Sequence, residues 1–243
     1  SIVAFVIPIM QLGLNNILVQ EFINNPSEEG KILGTSLLLN LFSSFACIVG
    51  VITFVFFANH NDTETILVCA LYSILLIFQS MELCNYWFQS KYLSKYTSIV
   101  SLIAYIVVSS YKIFLLVTHK SVYWFAISNA LDYMLIGIFS LILYKILGGK
   151  RLEFSIKIGE KLFARSRYYI VSSLMVTIFA QTDKIMINQM INSASTGYYS
   201  AAVACAGLSS FIFSAIIDSF RPSIFEAKKQ DENKYKLNVI RLY

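Results

Sequence analysis

Apolar residues run along this chain in long stretches, interrupted at intervals by short polar turns. Seven stretches are each long enough to cross a bilayer, which takes about 20 mostly apolar residues in a helix: 2–20, 32–58, 66–88, 96–117, 122–147, 168–191 and 198–220. The connections at 24–30, 59–64, 90–95, 118–121 and 192–197 are turn-sized. Only 148–167 is longer, opening with Gly148-Gly149 and carrying Arg151, Lys157, Lys161 and Arg165. Lipid offers no partner to a backbone N–H or C=O, so spans of this kind are helices. The pattern predicts an all-α, polytopic integral membrane protein with about seven transmembrane helices.

Composition agrees. Of the 243 residues, 57% are hydrophobic and 14% charged, whereas a soluble domain carries about 25% charged residues. Of the 19 Lys and Arg, sixteen fall in loops of one side and Lys120 alone on the other; Lys112 and Lys184 lie within spans. By the positive-inside rule the basic side is cytoplasmic. The asymmetry accounts for the net charge of +5 without nucleic acid as a partner. The first visible helix then runs inward, and a helix preceding Ser1 is expected. Residues 1–147 read as an N-terminal bundle of five helices, 148–167 as a basic cytoplasmic linker, and 168–243 as the start of a C-terminal bundle. The linker reads as a hinge followed by an amphipathic segment on the inner leaflet.

Several functions lose support. Cys47, Cys69, Cys84 and Cys205 sit in apolar runs without a paired-ligand spacing, so neither a metal site nor a disulfide framework is signalled. His60 and His119 stand at loop ends. No phosphate-binding glycine loop is present, because Gly34-Thr35-Ser36 lacks the lysine, and no cofactor is called for. Asn61-Asp62-Thr63 matches a glycosylation sequon, a weak signal.

Polar residues inside the spans carry the chemistry. An ionisable group there costs about 2.5–3.5 kcal/mol on insertion scales, so each is a functional candidate. Ser98, Ser101, Tyr105, Ser109 and Lys112 share one face at helical spacing, as do Ser173, Thr177, Gln181, Lys184 and Asn188. Gln79, Glu82, Tyr86 and Gln89 form a third face, Asn129, Asp132 and Tyr133 a fourth, and Ser210, Ser214, Asp218 and Arg221 a fifth. Such faces surround a hydrated cavity or pair with one another. Asp218 and Arg221 read as a local interfacial pair, and Asp183, turned away from the Lys184 face, can meet a neighbouring helix.

Three segments resemble a known family. Arg167-Tyr168-Tyr169-Ile170-Val171-Ser172-Ser173, then Gln181-Thr182-Asp183-Lys184-Ile185-Met186-Ile187, then Thr196-Gly197-Tyr198-Tyr199-Ser200-Ala201-Ala202 are similar to the polysaccharide-exporter branch of the flippases. The connection Gly30-Lys31-Ile32-Leu33-Gly34-Thr35-Ser36, Leu12-Gly13-Leu14 and Trp87-Phe88-Gln89-Ser90 fit the same pattern. The resemblance covers essentially the whole chain and implies a bacterial O-antigen repeat-unit translocase of the Wzx type in the inner membrane. It implies a twelve-helix, two-bundle transporter with a V-shaped cavity, of which these would be the second to eighth helices. One departure is the acidic connection 22–29, where relatives often carry an Arg.

The expected cargo is an undecaprenyl-diphosphate-linked oligosaccharide moved between leaflets by alternating access. Membrane lipids, an O-antigen polymerase and a chain-length regulator are the expected partners. Lys112 and Lys184 are candidate partners for the diphosphate, with Gln181, Thr177, Ser173, Tyr105, Ser109 and Asn129 for the sugars. Asp132, Asp183 and Glu82 are candidates for ion coupling. The alternatives are a multidrug or cation antiporter of the same superfamily, and an O-antigen polymerase or membrane acyltransferase.

Overall fold

The computed structural model describes residues 2–58, 63–119, 122–207, 210–230, 235–236 and 238–240. Every regular element among them is helical. His60, Lys120, the sequon's Asn61 and Asp62, and residues 208–209 within the expected seventh span lie outside this set.

The expected first span is not one helix. It comprises α1 (Ile2–Met10), a 3-10 turn (Leu14–Asn16) and α2 (Leu18–Asn24). The break is at Leu12 and Gly13, whose φ values are 50° and 65°. Only glycine occupies that left-handed region without strain. A Cβ on Gly13 would also sit 2.6 Å from the Ser166 carbonyl oxygen and 2.8 Å from Tyr169 Cβ. The glycine lets the later helix that carries Ser166 and Tyr169 pass against the chain at this point.

The next stretch is a single 30-residue helix, α3 (Glu29–Ala58). The third is segmented: α4 (Thr63–Ser73), α5 (Leu75–Gln79), a 3-10 turn (Ser80–Leu83) and α6 (Cys84–Ser90). Ser73 Oγ donates to the Cys69 carbonyl at 2.6 Å and Ser80 Oγ to the Ile77 carbonyl at 2.5 Å. Hydroxyls bonded back onto the helix in this way bend it, and Glu82 lies in the tightened turn. Then follow α7 (Ser94–Val117), α8 (Val122–Ile146), α9 (Ile156–Met190), α10 (Ser193–Gly207) and α11 (Ser210–Gln230).

Five segments among the described residues are long and apolar enough to span a membrane: Pro26–Phe57, Ile66–Ser90, Ser94–Val117, Tyr123–Ile146 and Ile156–Met190. They match the second to sixth expected spans. The chain is an all-α polytopic membrane protein. On α7, Leu102, Ile106, Ile113 and Leu116 are more than half exposed, an outer surface suited to lipid and not to water.

Two apolar clusters hold the bundle. Leu14, Leu18, Phe22, Leu33, Trp87, Phe88, Tyr144 and Leu162 pack at the end that carries the basic loops. There Trp87 meets the Tyr144 ring edge-on at 4.7 Å between centroids. Val3, Met10, Val51, Val55, Leu75 and Leu76 pack deeper in the bundle.

The 148–167 connection departs from expectation. α8 ends in a Schellman turn at Gly148 (φ 84°), with Gly149 N–H bonded to the Tyr144 carbonyl at 2.8 Å. The chain then runs without helix along the start of α3. Glu153 N–H donates to the Gly30 carbonyl, Ser155 N–H to Thr35 Oγ1, and Lys150 Nζ to the carbonyls of Pro26 and Ser27. From Ile156 it is already α9, a continuous 35-residue helix about 52 Å long at 1.5 Å per residue. Instead of lying free on a lipid surface, this stretch turns Lys161 and Arg165 onto Glu21 of α2.

Two acids at and beside the acidic connection 22–29, Glu21 and Glu29, are buried and paired. Glu21 is 1% exposed and binds Lys161 at 3.2 Å, Arg165, and the Asn25 amide at 3.1 Å. Glu29 is also buried. It accepts from Trp87 Nε1 at 2.6 Å and pairs with Lys91. A buried carboxylate is stable only when paired and hydrogen-bonded, and both are.

Candidate functional site

The third, fourth and seventh stretches meet around a polar cavity of about 490 Å³ near the basic end. Glu82, Asn85, Tyr86 and Gln89 contribute from the 3-10 turn and α6. Ser94, Thr97 and Ser98 come from the first turns of α7, and Ser214, Asp218 and Ser219 from α11. The local reason is helical spacing, which puts 82, 85, 86 and 89 on one face. Gln89 Nε2 donates to the Asp218 backbone carbonyl at 2.7 Å and ties α6 to α11 beside the cavity. Asp218 and Arg221 form a loose pair at 3.9 Å.

From Ser98 the polar face of α7 continues about 21 Å to Lys112, fourteen residues on. Lys112 Nζ donates to Asn129 Oδ1 of α8 at 3.0 Å. Asp132, one turn from Asn129, lies within electrostatic reach of Lys112, and Glu82 within reach of Asp132. Asp132 Oδ1 and Gln79 Oε1 are buried without a hydrogen-bond partner among the described residues. Tyr105 and Ser109 are exposed on the same face of α7. The structure thus brings Lys112, Asn129, Asp132, Tyr105 and Glu82 into one polar track.

Ser173, Thr177 and Gln181 form a separate group. They line a cleft of about 640 Å³ between α9 and the broken first segment, facing Gln11 and Asn16. Lys184 is half-buried one turn beyond Gln181. Lys184 and Lys112 stand on α9 and α7, two helices that do not pack closely against each other. Asp183 accepts from the Tyr199 hydroxyl of α10 at 2.9 Å and borders an apolar pocket with Met186, Ile187 and Met190.

A protein-family model described as polysaccharide biosynthesis protein matches residues 1–228. The chain belongs to that family. Among curated proteins and among solved structures nothing matches. The polar features of this polysaccharide biosynthesis protein include, among the described residues, the basic-end cavity, the α7 track and the α1–α9 cleft.

Some of these residues were not singled out from the sequence. Asn85 shares a helical face with Glu82, and Thr97 with Ser101, so a wider reading of those faces reaches them. Gln11 and Asn16 sit beside the Gly13 break, which no periodicity announces. Glu21, Lys161 and Arg165 needed the fold, because the acid and the lysine stand 140 positions apart. No three His, Cys, Asp or Glu gather to hold a metal among the described residues.

Proposed function

We propose that this protein moves undecaprenyl-diphosphate-linked O-antigen repeat units from the cytoplasmic to the periplasmic leaflet of a bacterial inner membrane, by alternating access and without a chemical step. The observation that carries the reading is the basic-end cavity. Ten polar side chains surround it in a chain whose helices otherwise present Leu, Ile, Val and Phe outward, and family membership supplies the saccharide. In this reading the basic end is cytoplasmic, the glycan enters there, and the polyprenyl tail stays in lipid. Lys184, beyond the Ser173–Thr177–Gln181 cleft, and Lys112, on the α7 track, are the cations within reach of a diphosphate. Asp132 and Glu82 are the acids through which an ion would couple.

The test is deletion of the full-length gene in its native host, followed by lipopolysaccharide on a gel. Loss of the O-antigen ladder, with undecaprenyl-linked units accumulating inside, supports the reading. An unchanged ladder with altered drug sensitivity favours the antiporter, for which the acids of the cavity would form a cation site. Single units displayed outside but left unpolymerised favour the polymerase. Complementation with Lys112→Ala and with Lys184→Ala separates the roles of the two cations. If both restore a full ladder, neither binds the diphosphate.

A further inference from the structure

We infer that the basic-end cavity is the glycan subsite and that its charge selects the cargo: it accepts neutral or amine-bearing sugars and disfavours acidic ones. The inference rests on the proposed transport and deepens it.

Volume comes first. About 490 Å³ falls within the roughly 300–1,000 Å³ typical of sites for small ligands. Glu82 lies eight residues before Ser90, so the pocket reaches about 12 Å inward from the end of α6. That depth suits one or two sugar rings still attached to a lipid in the adjacent leaflet.

The lining then sets the chemistry. Asn85 and Gln89 offer amides, Ser98 and Ser214 hydroxyls, and Glu82 and Asp218 carboxylates. Amides and carboxylates bridge neighbouring hydroxyls, and short hydroxyls both donate and accept, the repertoire a polyol needs. A diphosphate needs cations instead, and among the described residues no Lys or Arg lines this cavity.

Charge sets the selection. Of the nearby cations, Lys91 is paired with Glu29 and Lys95 lies over the Tyr96 ring; Arg221, 3.9 Å from Asp218, offsets part of that carboxylate's charge from outside the lining. The Asp218 side chain is 59% exposed, so that ion pair is weak. Asp132, itself partly offset by Lys112, adds to the negative potential behind Glu82. A uronate placed among these groups meets like charge in a partly desolvated space, where repulsion is weakly screened. An amino group meets attraction. The diphosphate is held apart from the glycan, at cations outside this cavity.

The test uses the full-length protein in lipid nanodiscs and two synthetic short-chain polyprenyl-diphosphate trisaccharides. One ends in N-acetylglucosamine and the other in glucuronic acid. The wild type is expected to bind the neutral glycan about tenfold more tightly, a factor set by one partly screened charge contact. In the Glu82→Gln/Asp218→Asn variant the gap closes because glucuronate binding rises. Ser214→Trp, which fills the cavity, weakens neutral binding about tenfold or more. An unchanged gap in the amide variant, or neutral binding unaffected by the tryptophan, overturns the inference. Transbilayer movement of both lipids in proteoliposomes is measured in parallel. If wild-type protein moves them while the gap or the tryptophan result fails, selection by this cavity is wrong and transport stands. If it moves neither lipid and binds neither, the proposed function falls with it.

Discussion

Glu21, Lys161 and Arg165 show how much of this structure depends on single charges placed out of water. Glu21 is buried, whereas Lys161 and Arg165 are about half exposed. Removing the cations therefore costs more than removing the acid. Lys161→Ala/Arg165→Ala strands a buried carboxylate and should destabilise by about 3 kcal/mol, at the lower end for a broken buried pair. Adding Glu21→Gln to that double variant should restore most of the loss. A thermal-unfolding cycle on detergent-purified protein measures both, and full additivity of the changes would show that no pairing exists. Gly13 is a second case. Gly13→Ala places a Cβ in a left-handed conformation against Ser166 and Tyr169, with a conformational cost of about 1–2 kcal/mol before the clash. A melting temperature equal to wild type would contradict the close approach described here. Neither residue's role was legible in the sequence. Glu21 drew no notice in the sequence because its partners, Lys161 and Arg165, lie in α9. Gly13 read as part of a motif, and its reason is the backbone of another helix.

Elements were legible where lipid imposes a rule and illegible where it does not. The second to sixth stretches appear as helices because twenty apolar residues leave the backbone no alternative. The breaks inside stretches depend on details that hydropathy does not carry: a positive φ at Gly13, and serine hydroxyls bonded back to carbonyls around Gln79–Leu83. The basic connection read as a hinge followed by an amphipathic segment on the inner leaflet, because its charges suggested anionic lipid. From Ile156 it is α9, and two of its cations, Lys161 and Arg165, are paired with Glu21 of α2. The turn between α6 and α7 gives a pH test. Tyr92 takes a positive φ of 58°, and its hydroxyl donates to Glu226 of α11 at 2.9 Å. Burial, with that bond to Glu226, pushes its pKa up to about 12. A raised tyrosine pKa stabilises the fold fully below the unfolded value near 10 and is lost as pH rises through 12. The contribution is modest, because the ring is half exposed. Between pH 10 and 12 the wild type should therefore lose stability that Tyr92→Phe, lower at neutral pH, does not lose further. Parallel curves for the two proteins would remove Tyr92–Glu226 as a tie between α6 and α11.

For the whole molecule, one outward surface is apolar and the interior faces are polar, and both were readable from composition and spacing. Leu102 of α7, 59% exposed, belongs to the lipid surface. Leu102→Lys should cost about 2.5–3.5 kcal/mol of insertion free energy and reduce the membrane-integrated fraction in a cell extract. Equal integration would mean that this face is covered by protein. The assembly of the polar faces was less legible. The sequence suggested two lysines on the diphosphate, and the structure places them on different helices, Lys112 on α7 beside Asn129 and Lys184 on α9 one turn beyond Gln181. Which faces meet is decided by helix order and crossing, not by any one face. The length of α9 has a mechanical consequence. Its close crossing with Gly13, near residue 168, leaves about 18 Å of rod on the Glu21 side and about 33 Å toward Met190. With the crossing as fulcrum, the helix is an unequal lever: a 1 Å tilt at the Lys161–Glu21 arm sweeps the Tyr199-bonded arm through about 2 Å.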